Sequence, residues 1–177
     1  GSRWPFTMET GDAPSPIYLP FPFFLAYAAA MVKNEGFETV IVDAIAEGLP
    51  NEEFFERIRG FNPDVVLIEA ATASIQADVQ SAQHIRQMMG DGVTLVFSGT
   101  HVTALGKDFL VATPAVDAII LGEYESTFLE IVKNLEVEKD FQGIENVVYR
   151  SKDGALTSNA RSHSLIELDK LPWPERE

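Results

Sequence analysis

The sequence contains no cysteine and comparatively few basic residues. Without thiols, this chain cannot itself form a disulfide, a thiolate zinc site or a cysteine-ligated iron–sulfur cluster. The 13 Lys and Arg residues stand against 27 Asp and Glu residues, which gives a formal net charge of −14. That balance argues against a nucleic acid or an anionic membrane surface as a partner, because both attract clustered positive charge. The absence of cysteine also suits a cytoplasmic location.

Long apolar runs and the common nucleotide-binding motifs are missing as well. The apolar run at residues 21–32 is shorter than the ~20 residues that cross a membrane, and no basic segment precedes it as in a signal peptide. Neither a GxxxxGK motif nor a GxGxxG motif follows a predicted strand, which excludes a phosphate loop and a dinucleotide fingerprint. The histidines His84, His101 and His163 do not have a metal-binding spacing. We therefore predict no catalytic residue and no metal ligand in this chain.

Apolar segments of two kinds alternate along the chain. Short β-branched or apolar runs predict strands near residues 39–43, 64–70, 93–98 and 118–122. Apolar residues at helical spacing predict helices at residues 23–34, 51–60, 75–89, 104–112 and 127–135. This alternation indicates an α/β fold with a parallel sheet and helices on both faces. Near the end, two short runs flank Asp153-Gly154 and predict a β-hairpin at residues 146–159, outside the parallel sheet.

The 177 residues fit a single α/β domain with short additions at both ends. We predict a proline-rich loop at residues 1–20 and the α/β domain at residues 21–142. A hairpin extension follows at residues 143–164, and residues 165–177, with two prolines and a tryptophan, have the composition of a linker.

Small and polar residues follow three of the predicted strands. The carboxyl ends of parallel strands meet at one edge of the sheet, where ligands bind in open α/β folds. The candidate binding residues at this edge are Thr72, Ala73, Ser74, Ser98, Gly99, Thr100, His101, Thr103, Gly122, Glu123 and Glu125.

Two other interpretations of these turns remain. Thr72 and Ser74 can simply cap the following helix, and the turn after the third strand can be an ordinary strand-to-helix connection in which Gly99 contacts no ligand. A phosphoacceptor receiver domain has the same type of fold. That interpretation is disfavoured, because Gly122-Glu123 stands where such a domain needs a lysine.

Six phrases occur in a fixed order from residue 21 onward. They are FPFFLAYAAA (21–30), GFETVIVD (36–43), DVVLIEAATAS (64–74), SGTHVTAL (98–105), DAIILGEYE (117–125) and LDKLPWP (168–174). With these six segments in this order, the chain resembles the amino-terminal cobalamin-binding domain of cobalamin-dependent radical S-adenosylmethionine enzymes.

The resemblance implies a flavodoxin-like (Rossmann-like) sheet that holds the nucleotide tail of cobalamin, with the corrin ring over the strand ends. It places Thr72 and Ser74 beside the tail, residues 99–101 along the next turn, and residues 122–125 at the last turn. The DxHxxG motif, whose histidine ligates cobalt in methionine-synthase-type domains, is absent. The resemblance therefore implies base-off cobalamin with no histidine ligand from such a motif, and His101 as a contact to the tail or a propionamide.

The chain departs from the family pattern at both ends. The first strand of the family fold is missing ahead of the proline-rich loop. We therefore expect its central position in the sheet to be filled by another segment or by a neighbouring molecule in an oligomer, or else the fold to be marginally stable. The CxxxCxxC motif that binds a [4Fe-4S] cluster is also absent. S-adenosylmethionine and the cluster would then belong to a carboxyl-terminal radical S-adenosylmethionine domain, to which LDKLPWP would lead.

These expectations describe a cobalamin-binding module from a methyltransferase or a cyclase, a module that does not itself catalyse. The alternative is a docking domain of such an enzyme that has lost cobalamin binding.

Overall fold

The computed structural model describes residues 21–137, 140–162, 167, 169 and 171–175. The predicted loop at 1–20 and much of the predicted linker lie outside these residues. The helices are α1 (Phe23–Asn34), α2 (Ala44–Glu47), α3 (Asn51–Phe61), α4 (Ile75–Met89), α5 (Thr100–Leu105), α6 (Lys107–Ala112) and α7 (Glu125–Val137). Among the described residues, no helix combines the length and the apolar character that a membrane crossing requires.

Five strands form one sheet in the order β1-β2-β3-β4-β5. They are β1 (Val65–Glu69), β2 (Thr94–Ser98), β3 (Ala118–Ile120), β4 (Val147–Arg150) and β5 (Leu156–Ser158). The first three strands are parallel, as predicted. The hairpin of β4 and β5 is also present, but its predicted position outside the sheet is wrong, because β4 pairs antiparallel with β3. The reason is apolar burial: Val147, Val148 and Tyr149 are buried and cover the edge of β3.

Helices cover both faces of this sheet and enclose a core on each. On one face Ile85 of α4, Val102 of α5 and Leu110 of α6 pack against residues that include Phe97 of β2. On the other face α1 and α7 pack against strand residues that include Val96. We call the second side the α1/α7 face. This two-layer cover confirms the predicted α/β architecture.

The predicted strand at residues 39–43 is wrong, because the structure has no strand there. Asp43 instead caps α2, and its Oδ1 accepts a hydrogen bond from the Ala46 N–H at 3.1 Å. A β-branched run becomes a strand only beside a neighbour that completes its ladder. The described part of the chain supplies no such neighbour, and β1 therefore lies at the edge of the sheet.

The helix predictions agree for α1 and α4 and differ at three other places. Gly106, with φ 56°, divides the predicted helix at 104–112 into α5 and α6. Since α5 begins at Thr100, Gly99 alone separates it from β2. Helix α7 begins two residues earlier than expected and so includes Glu125 in its first turn. Helix α3 continues past Gly60 and ends where Asn62 turns left-handed, with φ 51°.

An arginine fixes the end of the sheet opposite to the candidate site. Arg86 of α4 donates hydrogen bonds to the carbonyls of Gly90 and Val93, both at 2.8 Å, and to Asp117 at 2.5 Å. The Asp117 carboxylate also accepts the Leu95 N–H at 2.7 Å. This network holds the end of α4 against the starts of β2 and β3.

Candidate functional site

Side chains link the three strand ends that the sequence predicted to meet. His101 Nδ1 lies 3.1 Å from Thr72 Oγ1, which joins the segments that follow β2 and β1. Thr103 Oγ1 accepts a hydrogen bond from the Gly122 N–H at 3.0 Å, which joins the segments that follow β2 and β3. Because parallel strands end at the same edge, the candidate residues lie together along one rim of the sheet.

The alternative that Thr72 and Ser74 serve only as helix caps is not what the structure shows. Ser74 occupies the N-cap position of α4 but makes no side-chain capping bond. Its hydroxyl instead exchanges hydrogen bonds with the backbone of Ala71, at 3.3 Å. The Thr72 hydroxyl is engaged with His101. Both side chains therefore shape the turn after β1, and neither stabilises the start of α4.

Gly99 has a structural role that the sequence did not reveal. Its backbone, with φ 104° and ψ 179°, lies in a region that is nearly restricted to glycine. A Cβ built on Gly99 would overlap the carbonyl of Ala70. Ala70 in turn donates its N–H to the Ser98 carbonyl at 2.9 Å. Packing of the two strand ends is enough to require this glycine, so the residue is no sign of a ligand.

Several candidate residues lie at the outer part of the rim. Ala73, Thr100, Gly122 and Glu123 are exposed. Glu123 carries charge at the end of β3, where it helps to raise the pKa of Glu125. These positions can contact a ligand that lies over the edge of the sheet. Apart from Gly122, whose N–H donates to Thr103 Oγ1, they take no part in the hydrogen-bonded pairs described above.

Beneath the rim, on the α1/α7 face, lie buried polar side chains. Ser98 is 0% exposed and Tyr124 is 4% exposed. Neither hydroxyl has a hydrogen-bond partner within the described part of the chain. Buried hydroxyls are normally paired, so each of these costs free energy in the present arrangement.

Two carboxyl groups accompany these hydroxyls. Burial raises the pKa of the Tyr124 phenol, and the nearby Glu69 and Glu125 carboxylates raise it further. Burial also raises the pKa of Glu125, whose carboxylate accepts the Tyr124 N–H at 3.0 Å. The result is a polar cluster, Glu69, Ser98, Tyr124 and Glu125, beneath the strand ends.

The candidate binding residues named from the sequence include neither Tyr124 nor Glu69, although the resemblance placed the turn at residues 122–125 in the site. Alternation of side chains along a strand was the available signal, since residues two apart point to the same face. Leu67 and Val96 pack on the α1/α7 face, so Glu69 and Ser98 at the two strand ends lie on that face too.

A groove opens beside His101 on the opposite face of the sheet. It has a volume of about 640 Å³ and is lined by α4, α5 and α6 residues that include Val79, Gln80 and Phe109. The ring of His101 lies edge-on to Phe109, with ring centroids 6.4 Å apart. Among the described residues, no group of His, Asp and Glu side chains is arranged to hold a metal ion. The edge thus offers hydrogen-bonding groups for a polar organic ligand.

Comparison with known proteins identifies the family. The model of the B12 binding domain family matches residues 18–132. Among curated proteins, an uncharacterized methyltransferase of Pyrococcus horikoshii is 32% identical over 154 residues, which is 86% of this chain and 33% of the relative. The anaerobic magnesium-protoporphyrin IX monomethyl ester cyclase of Rubrivivax gelatinosus is 29% identical over 154 residues, covering 85% of this chain and 28% of the cyclase. The chain thus spans a third or less of the length of these relatives.

Solved structures show the same fold. The cobalamin-dependent S-adenosylmethionine radical enzyme OxsB, with aqua-cobalamin and S-adenosylmethionine bound, superposes with a TM-score of 0.74 at 14% identity, over 88% of this chain and 21% of OxsB. The radical S-adenosylmethionine methyltransferase TsrM from Kitasatospora setae, with cobalamin and a [4Fe-4S] cluster bound, superposes with a TM-score of 0.69 at 13% identity, over 86% and 28%. With a strand-end site on this fold and a family model over most of the α/β domain, the chain belongs to the B12 binding domain family and resembles the cobalamin-binding modules of radical S-adenosylmethionine enzymes.

Proposed function

We propose that this chain binds cobalamin in the base-off form, with the corrin ring over the rim and the nucleotide tail on the α1/α7 face. The observation that carries the proposal is the pair of buried, unpartnered hydroxyls of Ser98 and Tyr124 at the strand ends. A polar ligand that enters on this face can supply the missing hydrogen bonds. The groove on the opposite face is a weaker candidate for the tail, because it lacks such a pair.

The rim residues have a separate part in this proposal. Thr72, Ser74, His101 and Thr103 present hydroxyl and imidazole groups that can hydrogen-bond the propionamide side chains of a corrin. The His101–Thr72 and Thr103–Gly122 pairs hold adjacent strand ends in fixed positions, so the ring would meet a preorganised surface. When bound, cobalamin supplies a cobalt centre able to carry a methyl group or exchange electrons, and this chain orients it.

We also propose that no histidine of this chain ligates cobalt. His101 lies in the turn after β2, and the sequence has no DxHxxG motif of the kind whose histidine ligates cobalt. Its Nδ1 contacts Thr72 Oγ1, so Nε2 is the ring nitrogen whose ligation the experiment below tests. His84 lies on α4 and stacks on Phe55 of α3, with ring centroids 4.0 Å apart, away from the rim. His163 lies outside the described residues.

For the whole protein, we propose that this module serves a radical S-adenosylmethionine domain of the same chain, in a methyltransferase or a cyclase. The length and names of the curated relatives support this assignment. A short strap, residues 171–175, lies against α1: the Glu175 N–H donates to the Ala26 carbonyl at 3.0 Å, and the Glu175 carboxylate pairs with Lys33 at 2.7 Å. Trp173 in the strap is 90% exposed, and this ring is available to a neighbouring domain.

The binding proposal is tested by adding hydroxocobalamin to the purified chain, removing free cofactor by desalting, and recording the visible spectrum. We expect retained cobalamin with a base-off spectrum, and weaker retention of cobinamide, which lacks the nucleotide tail. Ser74→Phe should abolish retention by filling the turn after β1, whereas Ser158→Phe on exposed β5 should not. A folded wild-type chain that retains no cobalamin would instead support the docking domain that has lost its cofactor.

Electron paramagnetic resonance of the reduced Co(II) form tests the ligation proposal. We expect no nitrogen splitting from His101. His101→Ala should weaken cobalamin binding by roughly two- to tenfold, the value of one neutral hydrogen bond. A nitrogen splitting that disappears in His101→Ala would show that this histidine ligates cobalt.

A further inference from the structure

Polar side chains from three consecutive strand ends meet on a single face. Glu69 ends β1, Ser98 ends β2, and Tyr124 follows β3. Leu67 precedes Glu69 by two residues, and Val96 precedes Ser98 by two residues. Both apolar side chains pack into the core beneath α1 and α7, and Tyr124 lies in the same core. By strand alternation, all three polar groups therefore lie on the α1/α7 face.

The two hydroxyls of this set lack partners where water cannot supply them. Ser98 is fully buried and Tyr124 nearly so, and neither hydroxyl is hydrogen-bonded within the described residues. Each can both donate and accept a hydrogen bond, and the neighbouring Glu69 carboxylate accepts. The cluster therefore matches a ligand edge that carries donors and acceptors side by side.

Helix α1 packs over this face of the sheet. The buried residues of α1 are Ala26, Ala28, Ala29, Ala30 and Val32. Ala28 and Val32 contact the same core as Tyr124. Leu25, partly buried, packs against this core as well. At Ala28 the helix presents only a methyl group to the core that contains Tyr124, so a ligand on this face would meet a short side chain of α1 at that point.

We propose that Ser98, Tyr124 and Glu69 form a base-recognition site that selects corrinoids by their lower base, preferring an adenine-type base to 5,6-dimethylbenzimidazole. This inference rests on the proposed binding of a base-off corrinoid. Base-off dimethylbenzimidazole offers a single acceptor nitrogen and no N–H donor, so it can accept a hydrogen bond from only one of the two hydroxyls. Adenine carries an exocyclic amine beside ring acceptors. A site with buried polar groups discriminates strongly against an analogue that leaves them unpaired.

The test measures dissociation constants of the chain for adeninylcobamide, cobalamin and cobinamide, from the change in the visible spectrum during titration. We expect adeninylcobamide to bind at least about tenfold more tightly than cobalamin, the effect of roughly one well-formed hydrogen bond. Ser98→Ala and Tyr124→Phe should each bring the ratio of the two constants toward one. Ser98→Ala removes a hydroxyl that has no partner among the described residues. Tyr124→Phe keeps the buried ring and removes only a hydroxyl beside the Glu69 carboxylate, so the fold should tolerate both changes.

Tyr149→Phe is the matched control. Tyr149 is 5% exposed and lies in the same core, but it pairs with Ala118 at the start of β3, away from the strand ends. This variant should keep the wild-type ratio.

Equal affinity for the two complete corrinoids, both tighter than cobinamide, would overturn base recognition and leave the proposed function in place. A preference for cobalamin, or a ratio that Ser98→Ala and Tyr124→Phe do not change, would also overturn it. If none of the three compounds binds, both proposals are wrong.

Discussion

Replacing Gly99 by alanine should destabilise the protein through the backbone. At φ 104° and ψ 179°, an L-residue costs about 1–3 kcal/mol. The new methyl group would also overlap the Ala70 carbonyl, and Ala70 cannot retreat without lengthening its 2.9 Å hydrogen bond to Ser98. We expect a loss of about 3 kcal/mol in the free energy of unfolding, which corresponds to a fall of roughly 6–12 °C in Tm for a chain of this size.

Urea unfolding followed by circular dichroism measures this loss, with Gly60→Ala as the control. Gly60 lies inside α3 with free space around its Cα, and alanine there should raise stability by up to about 1 kcal/mol. If Gly99→Ala unfolds within about 0.5 kcal/mol of the wild type, a typical neutral surface change, the packing account of Gly99 is refuted. The result also decides how binding experiments are designed. Gly99→Leu would place a large side chain at the rim, but it is predicted to damage the fold itself, because its Cβ would overlap the Ala70 carbonyl.

Three further outcomes are expected. Burial raises the pKa of Glu125 above 4.5, so ionisation of this carboxyl weakens the folded state as the pH rises through its folded pKa. Glu125→Gln should therefore be more stable than the wild type at alkaline pH in urea unfolding, with the gain lost below about pH 4.5; a gain independent of pH would contradict this. Arg86→Met should cost about 2 kcal/mol, because it removes charge-assisted bonds to Asp117 and to three carbonyls; the exposed Arg161→Met is its control, and equal unfolding of the two variants would contradict the role of Arg86. Among the residues that the structure describes, no strand pairs with the outer edge of β1, and such an edge should promote self-association. Light scattering should then show a molar mass that rises with concentration, and a constant monomer mass would argue against it.

The alternation of apolar segments was enough to predict the architecture, but not every strand. β1, β2 and β3 each carry an apolar run that is covered on both faces, so local pattern and final position agree. Residues 39–43 have the same β-branched character and form no strand, because strand formation depends on a neighbour that a local pattern cannot specify. The hairpin is the opposite example, because the sequence predicted that it forms but not where it pairs. Asp153-Gly154 predicted its turn, whereas its pairing with β3 depends on the burial of Val147 and Val148 against a segment distant in sequence.

The sequence predicted the rim of the candidate site but not the buried polar side chains beneath it. Small residues after strands mark the rim, and the structure joins Thr72 to His101 and Thr103 to Gly122 as parallel strand ends require. The buried layer below was missed because a tyrosine at the start of a helix has the composition of an ordinary core residue. Only its place beside Glu69 and Ser98 distinguishes Tyr124, and that juxtaposition arises from three segments that are separate in sequence.

Ser98 and Gly99 show why small residues at a strand end need separate explanations. They are adjacent in the chain and equally suggestive of a ligand, yet a side chain at Gly99 would collide with the backbone of the neighbouring strand, whereas the Ser98 hydroxyl is buried beside groups it does not bond. The need for glycine at position 99 is explained by the packing of the protein alone. A side chain there should therefore lower the stability of the fold whether or not a ligand is bound. The Ser98 hydroxyl has an unmet hydrogen-bonding capacity, which predicts a change in binding at little cost in stability. A substitution at Ser98 can therefore separate recognition of a ligand from maintenance of the fold, and a substitution at Gly99 cannot.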